Sequence, residues 1–354
     1  MGDEQAERLY AEAGNALLAG RLDEAERSAR GALALAPELA SVHYLLGSVL
    51  IERGEYAKAL DALDACLERR PGHPLLQHAR VGHALCRART DFVDPPRERL
   101  RGAAPRISVV VCSITPSKFE RVAANYAALL AGLDHEIVGV HDARSLAEGY
   151  NRGVRRARGE ILVFSHDDIE IVAPDFAAKL VNRLSVFALV GVAGTDRVCG
   201  GSWIDAGWPY VHGQIGMPER GGRGIVTTAY LLSGASASPM QALDGVFFAC
   251  RRAVIDKLAF DERTFDDWHL YDLDFSYSAA VAGFPVAVAN DILVVHQSAG
   301  KFSGTWLEHA RRFVAKHRVA DPSSYSFKGM ALPSAVLHSA QEWRAWTHYM
   351  IGGR

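Results

Sequence analysis

The sequence predicts an α/β domain, a sheet with helices on its faces, preceded by an all-α domain. Two observations carry the prediction. Residues 1–90 have helical texture and recur at a fixed interval, and from Arg106 onward apolar β-branched runs alternate with helical stretches. A chain of 354 residues has room for two such domains, one of them large.

The interval is 34 residues, set by Pro37 and Pro71. At the same spacing Gly20 pairs with Gly54, Leu22 with Tyr56, Ala25 with Ala59, and Ala32 with Cys66. Small residues at fixed positions let paired helices approach closely, and each proline ends the second helix of its pair. The segment HPLLQHARVGHALCRART, residues 73–90, reads as a closing helix. A period of this length resembles the tetratricopeptide repeat. Two repeats and a cap are few for a solenoid, so the domain is expected to lean on a neighbour or on another subunit.

The stretch DFVDPPRERLRGAAPR, residues 91–106, is rich in proline and charge and reads as a linker. RISVVVCSITP then has the pattern of a buried parallel strand. A helix is expected over Ser117–Ala131 with Ser117 as N-cap, then a strand EIVGVHD, a helix Leu146–Arg156 and a strand EILVFSHDDIE. In such sheets ligands sit beyond the carboxyl ends of the strands, which places Ser113, Asp142 and His166–Asp168 at the working edge. No glycine-rich dinucleotide or Walker signature follows the first strand.

YNRGVRRARGEILVFSHDDIEI resembles the segment of family 2 glycosyltransferases, of GT-A fold, in which an Asn-x-Gly helix leads into the strand bearing the DXD motif. Here the motif is spelled His166-Asp167-Asp168, similar to a glycosyltransferase-like branch with H-x-D. LDGVFFACRRAVID resembles the acceptor-side strand, FDDWHLYDLDFSYSAAVAGFPVAV the helix holding the acidic catalytic motif, and VVHQSAGKF the closing strand with a metal-binding histidine. Four blocks fall in the family's order between Arg106 and His317; the usual DDGS cluster is missing.

The resemblance implies an inverting glycosyltransferase that moves a sugar from a nucleotide-sugar donor to a glycan, lipid-linked or protein acceptor. A divalent cation, Mn²⁺ or Mg²⁺, would neutralise the departing diphosphate, with Asp168, His296 and His166 as its ligands. Asp272 would be the general base, and Asp274 a structural anchor, because residues two apart on a helix point about 200° apart. An N-cap at the start of a helix Leu273–Ala282 is the competing role for Asp272. Ser113, Asp142, Arg144, Asp167 and His269 are donor-side candidates, Arg144 as a bidentate phosphate partner. Asp244, Gly245, Trp203 and Trp208 are acceptor-side candidates. The glycine- and aromatic-rich stretch 200–241 reads as a long loop, either an acceptor lid or a hydrophobically anchored segment.

The expected boundaries are 1–92 for the repeats, 93–106 for the linker, 107–320 for the transferase and 321–354 for a helical extension. Residues 334–349 are expected as a helix packed onto the transferase through Trp343 and Trp346. A net charge of −2 supplies no whole-chain field for nucleic acid. There is no apolar run of membrane-spanning length, and five scattered cysteines suit a reducing, cytoplasmic address. The repeats suggest a protein partner or self-association. Two other classes compete: a repeat scaffold with a non-catalytic sugar-nucleotide-binding domain, and a nucleotidyltransferase. The joint presence of Asp168, Asp272 and His296 argues against the first, and the lack of a triphosphate loop against the second.

Overall fold

The computed structural model describes residues 2–298, 304–319 and 333–352 and divides into two units. The first holds the chain up to Pro95 together with the C-terminal helix; the second begins at Pro96.

The first unit contains α1 (Gly2–Leu18), α2 (Leu22–Leu35), α3 (Ala40–Glu52), α4 (Tyr56–Glu68) and α5 (His73–Thr90). The 34-residue period has a direct structural meaning. Gly20 and Gly54 take the same left-handed conformation, φ +70° and +74°, between the helices of each pair. Ala25, Ala59, Ala32 and Cys66 are all fully buried, so the small residues lie where helix meets helix. The expected closing helix is α5.

What covers the repeats corrects the expectation for the C-terminus. Residues 334–349 are not one helix but a short strand (Ser334–Leu337) and a helix (Ala340–Met350). That helix falls in the first unit, with the repeats. Trp343 and Trp346 are fully buried, and Trp346 Nε1 donates to the Val81 carbonyl at 3.3 Å. Arg80 reaches the Met350 carbonyl at 2.7 Å, and Arg89 pairs with Glu342 at 2.7 Å.

The second unit runs β1 (Ile107–Cys112), α6 (Pro116–Leu129), β2 (His135–Val140), α7 (Leu146–Arg156), β3 (Ile161–Ser165), β4 (Ile169–Ile171), α8 (Phe176–Val186), β5 (Leu189–Gly191), β6 (Ala193–Thr195), β7 (Val211–Pro218), β8 (Ile225–Ala229), β9 (Ser236–Ala237), β10 (Ala242–Leu243), β11 (Phe247–Arg251), α9 (Arg252–Ile255), α10 (Tyr271–Val281), β12 (Val286–Ala289), β13 (Val294–His296) and α11 (Gly304–His317). One sheet has the order β2-β1-β3-β11-β5-β12-β9, parallel through β2, β1 and β3 and antiparallel at β11. A second follows β10-β6-β7-β13-β4, with β8 beside β7. The α6 cap is Thr115 rather than Ser117, because Pro116 takes the first helical position.

Along β1 alternate residues feed opposite cores. Ile107, Val109 and Val111 meet α6 and α8, while Val110 and Cys112 meet α7 and α10. The Asn-x-Gly element of α7 is structural. A side chain at Gly153 would collide with Val110, and the Asn151 amide brackets Phe260 through its backbone N–H and C=O. The region read as linker is tied down from Glu98 onward: the Glu98 N–H donates to Asp175 and the Arg101 N–H to Asn182, both on or beside α8.

Candidate active site

Strand register assembles the site. The β3 strand ends at Ser165, so His166, Asp167 and Asp168 form the turn into β4. The β4–β13 pairing sets Ile169 opposite His296, which carries the last residue of β13 to Asp168. Asp168 Oδ1 lies 3.2 Å from His296 Nε2, and His166 Nδ1 lies 3.4 Å from the same nitrogen. One ligand atom from each of His166, Asp168 and His296 fits within 4.8 Å of the others. This is the set expected from the sequence, although Ala299–Phe302 of the VVHQSAGKF block lie outside the described residues.

The protonation states suit a cation. Burial lowers the His166 pKa and the neighbouring His296 lowers it further, favouring the neutral imidazole that a metal requires. Burial alone would raise Asp168, but hydrogen bonds from His296 and Ser298 hold it well below the usual carboxylate range. Two imidazoles and a carboxylate suit Mn²⁺ well, since it accepts nitrogen as well as oxygen.

Two neighbours were not anticipated. Lys118, on the first turn of α6, sits 3.5 Å from Asp168 and 3.8 Å from Asp167. Tyr271 closes a chain behind His166: its hydroxyl donates to the Gly245 carbonyl at 3.2 Å and lies 3.0 Å from His166 Nε2. The position of Lys118 just past a strand's carboxyl end was the available signal for it; Tyr271 had none beyond adjacency to Asp272. Ser113 donates to Asp167 at 2.6 Å, so these two donor-side residues do meet.

Antiparallel pairing of β11 with β3 sets Phe247 opposite Ser165 and carries Asp244 and Gly245 to the same edge. Asp272 lies against Gly245, where a Cβ would stand 2.7 Å from its Oδ2, so the residue at 245 must be glycine for this approach. Burial first, and the negative charge of Asp244 second, raise the Asp272 pKa to about 7. The helix starts earlier than expected: its N-cap is Leu270, in the left-handed region at φ +63°, so Asp272 is not the cap. Asp274 points elsewhere, to Lys316 and His317 of α11 at 2.7 Å each. It anchors α11, as its expected role requires.

Residues 200–241 are not a long loop. They form a short 3₁₀ turn (Trp203–Ala206) and the strands β7, β8 and β9. Trp203 is buried edge-to-face on Tyr230 and donates from Nε1 to Asp244 at 2.8 Å, so it is an anchor. Trp208 is half-buried just beyond that turn. Three donor-side candidates are not gathered at the cluster by any contact among the described residues. Asp142 is exposed and paired with Arg152 at 2.8 Å. Arg144 is exposed, and its backbone N–H donates to Glu148. His269 is half-buried and receives His309 on its carbonyl.

A mixed sheet flanked by helices thus ends in a histidine–carboxylate cluster able to hold a metal ion, beside a half-buried acid. The chain belongs to the glycosyltransferase-like family, whose sequence profile matches residues 108–318. A tetratricopeptide-repeat profile matches residues 16–81. The protein is thus a glycosyltransferase, its transferase unit a mixed sheet flanked by helices as expected, preceded by tetratricopeptide repeats. No curated protein matches the chain. Among solved structures it is similar to a mannosyltransferase, PcManGT from Pyrobaculum calidifontis in complex with GDP-Man and Mn²⁺, at 16% identity and TM-score 0.41, over 84% of this chain and 81% of that one. It is also similar to GalNAc-T7 with UDP, GalNAc and Mn²⁺, at 16% identity and TM-score 0.35, over 59% and 48%. No helix among the described residues is long and apolar enough to cross a membrane.

Proposed function

We propose that this glycosyltransferase uses a nucleotide-sugar donor and inverts the anomeric centre, with Asp272 as general base and His166, Asp168 and His296 as holders of a divalent cation. The observation that carries this reading is the convergence of the three ligand atoms within 4.8 Å at the edge where Asp272 meets Gly245. When bound, the cation supplies Lewis-acid neutralisation of the departing diphosphate. Asp272 takes the proton from the attacking acceptor hydroxyl, a step suited to a group whose pKa lies near 7. Asp244 keeps that pKa raised and, held by Trp203, lines the acceptor side. Lys118 offers a positive charge to the donor phosphates, and Ser113 keeps Asp167 oriented toward the donor. Asp142, Arg144 and His269 remain donor-side candidates that would act only where the donor extends beyond the cluster.

Acceptor classes compatible with this chemistry are a glycan, a lipid-linked saccharide or a protein. The repeat unit would supply a partner surface, supported by the exposed apolar residues Tyr10, Leu18 and Leu39. The five cysteines are all buried and unpaired, which supports a reducing, cytoplasmic setting.

The test is Mn²⁺ titration of the full chain, followed by electron paramagnetic resonance. Asp168→Ala is expected to abolish binding and turnover of nucleotide sugars, and His296→Ala to weaken both. A folded Asp168→Ala protein with unchanged Mn²⁺ affinity would overturn the assignment.

A further inference from the structure

A second concave site lies apart from the histidine–carboxylate cluster and has no part in the chemistry above. It is a cavity of about 460 Å³, within the ~300–1,000 Å³ of small-molecule sites. Its walls come from the end of β6 (Asp196, Arg197), the start of β7 (Tyr210, His212) and the serine-rich segment around β9, which includes Ser233 and Ser236.

Its polar groups are set by the fold. Gly194 pairs with His212 and Thr195 with Val211 across β6 and β7, and this brings His212 beside Asp196. His212, itself buried, holds Asp196 Oδ2 from Nε2 at 3.0 Å. The Arg197 guanidinium carbon lies over the Tyr210 ring, 3.6 Å from its centre, and the residue is exposed. No acidic side chain among the described residues lies within ion-pair distance of it, so its N–H donors remain available.

The chemistry of the lining selects the ligand. One carboxylate and one guanidinium both line the cavity, so a dianionic phosphate would meet Asp196 as well as Arg197. Arg197 covers a face of Tyr210, the one phenol ring in the lining, and His212 is buried, so a nucleobase is denied that stacking face. What remains is an acceptor oxygen in Asp196, whose other oxygen is held by His212, a donor fork in Arg197 and serine hydroxyls that do both, the complement of a neutral polyol. Position adds the role. The β6–β10 pairing sets Thr195 opposite Ala242, and from the adjoining Gln241 the chain runs three residues to Asp244. At about 3.3 Å per extended residue that is roughly 10 Å, the span of about two sugar units.

We propose that this cavity is a saccharide site that holds the distal residues of a neutral glycan acceptor. The proposal rests on the transferase reading for its role, but not for its test. Full-length protein, without metal or donor, is probed on an array of neutral and acidic glycans, and hits are confirmed by titration with the free oligosaccharide. Binding to neutral glycans is expected, and Asp196→Asn and Arg197→Ala should each weaken it about tenfold, the worth of one charge-assisted hydrogen bond. Thermal unfolding confirms that both variants are folded; Arg197 is exposed and Asp196→Asn keeps the side chain's shape. Three results overturn the proposal: no glycan bound, binding confined to acidic glycans, or neutral-glycan binding unchanged in both variants. Unchanged Mn²⁺ affinity in a folded Asp168→Ala protein would overturn the cation assignment and leave this binding result standing.

Discussion

His166 Nε2 faces the Tyr271 hydroxyl at 3.0 Å while that hydroxyl donates its single proton to the Gly245 carbonyl. The tautomer expected from this pair carries the imidazole proton on Nε2, with the hydroxyl accepting it, and leaves the Nδ1 lone pair facing His296. Outer groups that fix a ligand's tautomer are worth about 10–100-fold in metal affinity. Tyr271→Phe should accordingly weaken Mn²⁺ binding by about 10-fold with the fold intact, since the phenyl ring still fills its buried place. Unchanged Mn²⁺ affinity in Tyr271→Phe, alongside its loss in Asp168→Ala, would leave the cation site standing and remove Tyr271 from it.

Asp272 and Asp244 give a pH test. Asp272 must be ionised to accept a proton, and its pKa is raised from 3.8 to about 7 by burial and by Asp244. Activity should rise with pH through about 7. Asp244→Asn removes the like charge, so the rising limb should move to lower pH. Asp272→Asn should lower kcat by about 10²–10⁴-fold with donor affinity nearly intact. For stability the sign is opposite to that of an ion-paired carboxylate. The folded chain binds this proton more tightly than the unfolded one, so its stabilisation is full below pH 3.8 and is lost as pH rises through about 7. A pH–rate profile unmoved by Asp244→Asn would show that another group sets the limb.

Lys118 places one positive charge against both Asp167 and Asp168, where a cation would also sit. Its side chain is more than a third exposed, so solvent screens the repulsion. Lys118→Met is expected to raise Mn²⁺ affinity a few-fold and to weaken nucleotide-sugar binding, a pair of opposite shifts readable by two titrations. Weakening of both would mean that Lys118 supports the cation.

Legibility from sequence followed the range of each interaction. The 34-residue period was readable because Gly20 and Gly54 answer to their own backbone conformation, and Ala25 and Ala59 to their own crowding. His166, Asp168 and His296 were readable through the resemblance, and register then explains why they meet. Lys118 and Tyr271 were not, because a lone lysine or tyrosine acquires meaning only from what the fold sets opposite it. The stretch 200–241 was misread because glycine and aromatic residues suit a loop and a short hairpin alike; cross-strand pairing such as Gln214 with Ala229 decided it. Trp343 and Trp346 announced a buried face without naming its cover.

That cover changes how the two units can be separated. A cut between Pro95 and Pro96 severs the five repeat helices but leaves behind the C-terminal helix that completes them. Trp343 and Trp346, fully buried in the intact protein, would then face water. Uncovering side chains of this size costs roughly 3 kcal/mol each and creates an apolar patch prone to association. Residues 96–354 are therefore expected to aggregate, whereas residues 96–339, which lack the helix Ala340–Met350, should be monodisperse and retain Mn²⁺ binding, because His166, Asp168 and His296 all lie within them. Light scattering and Mn²⁺ titration of the two truncations decide the matter. Equal solubility of both would show that the C-terminal helix does not depend on the repeats for its cover.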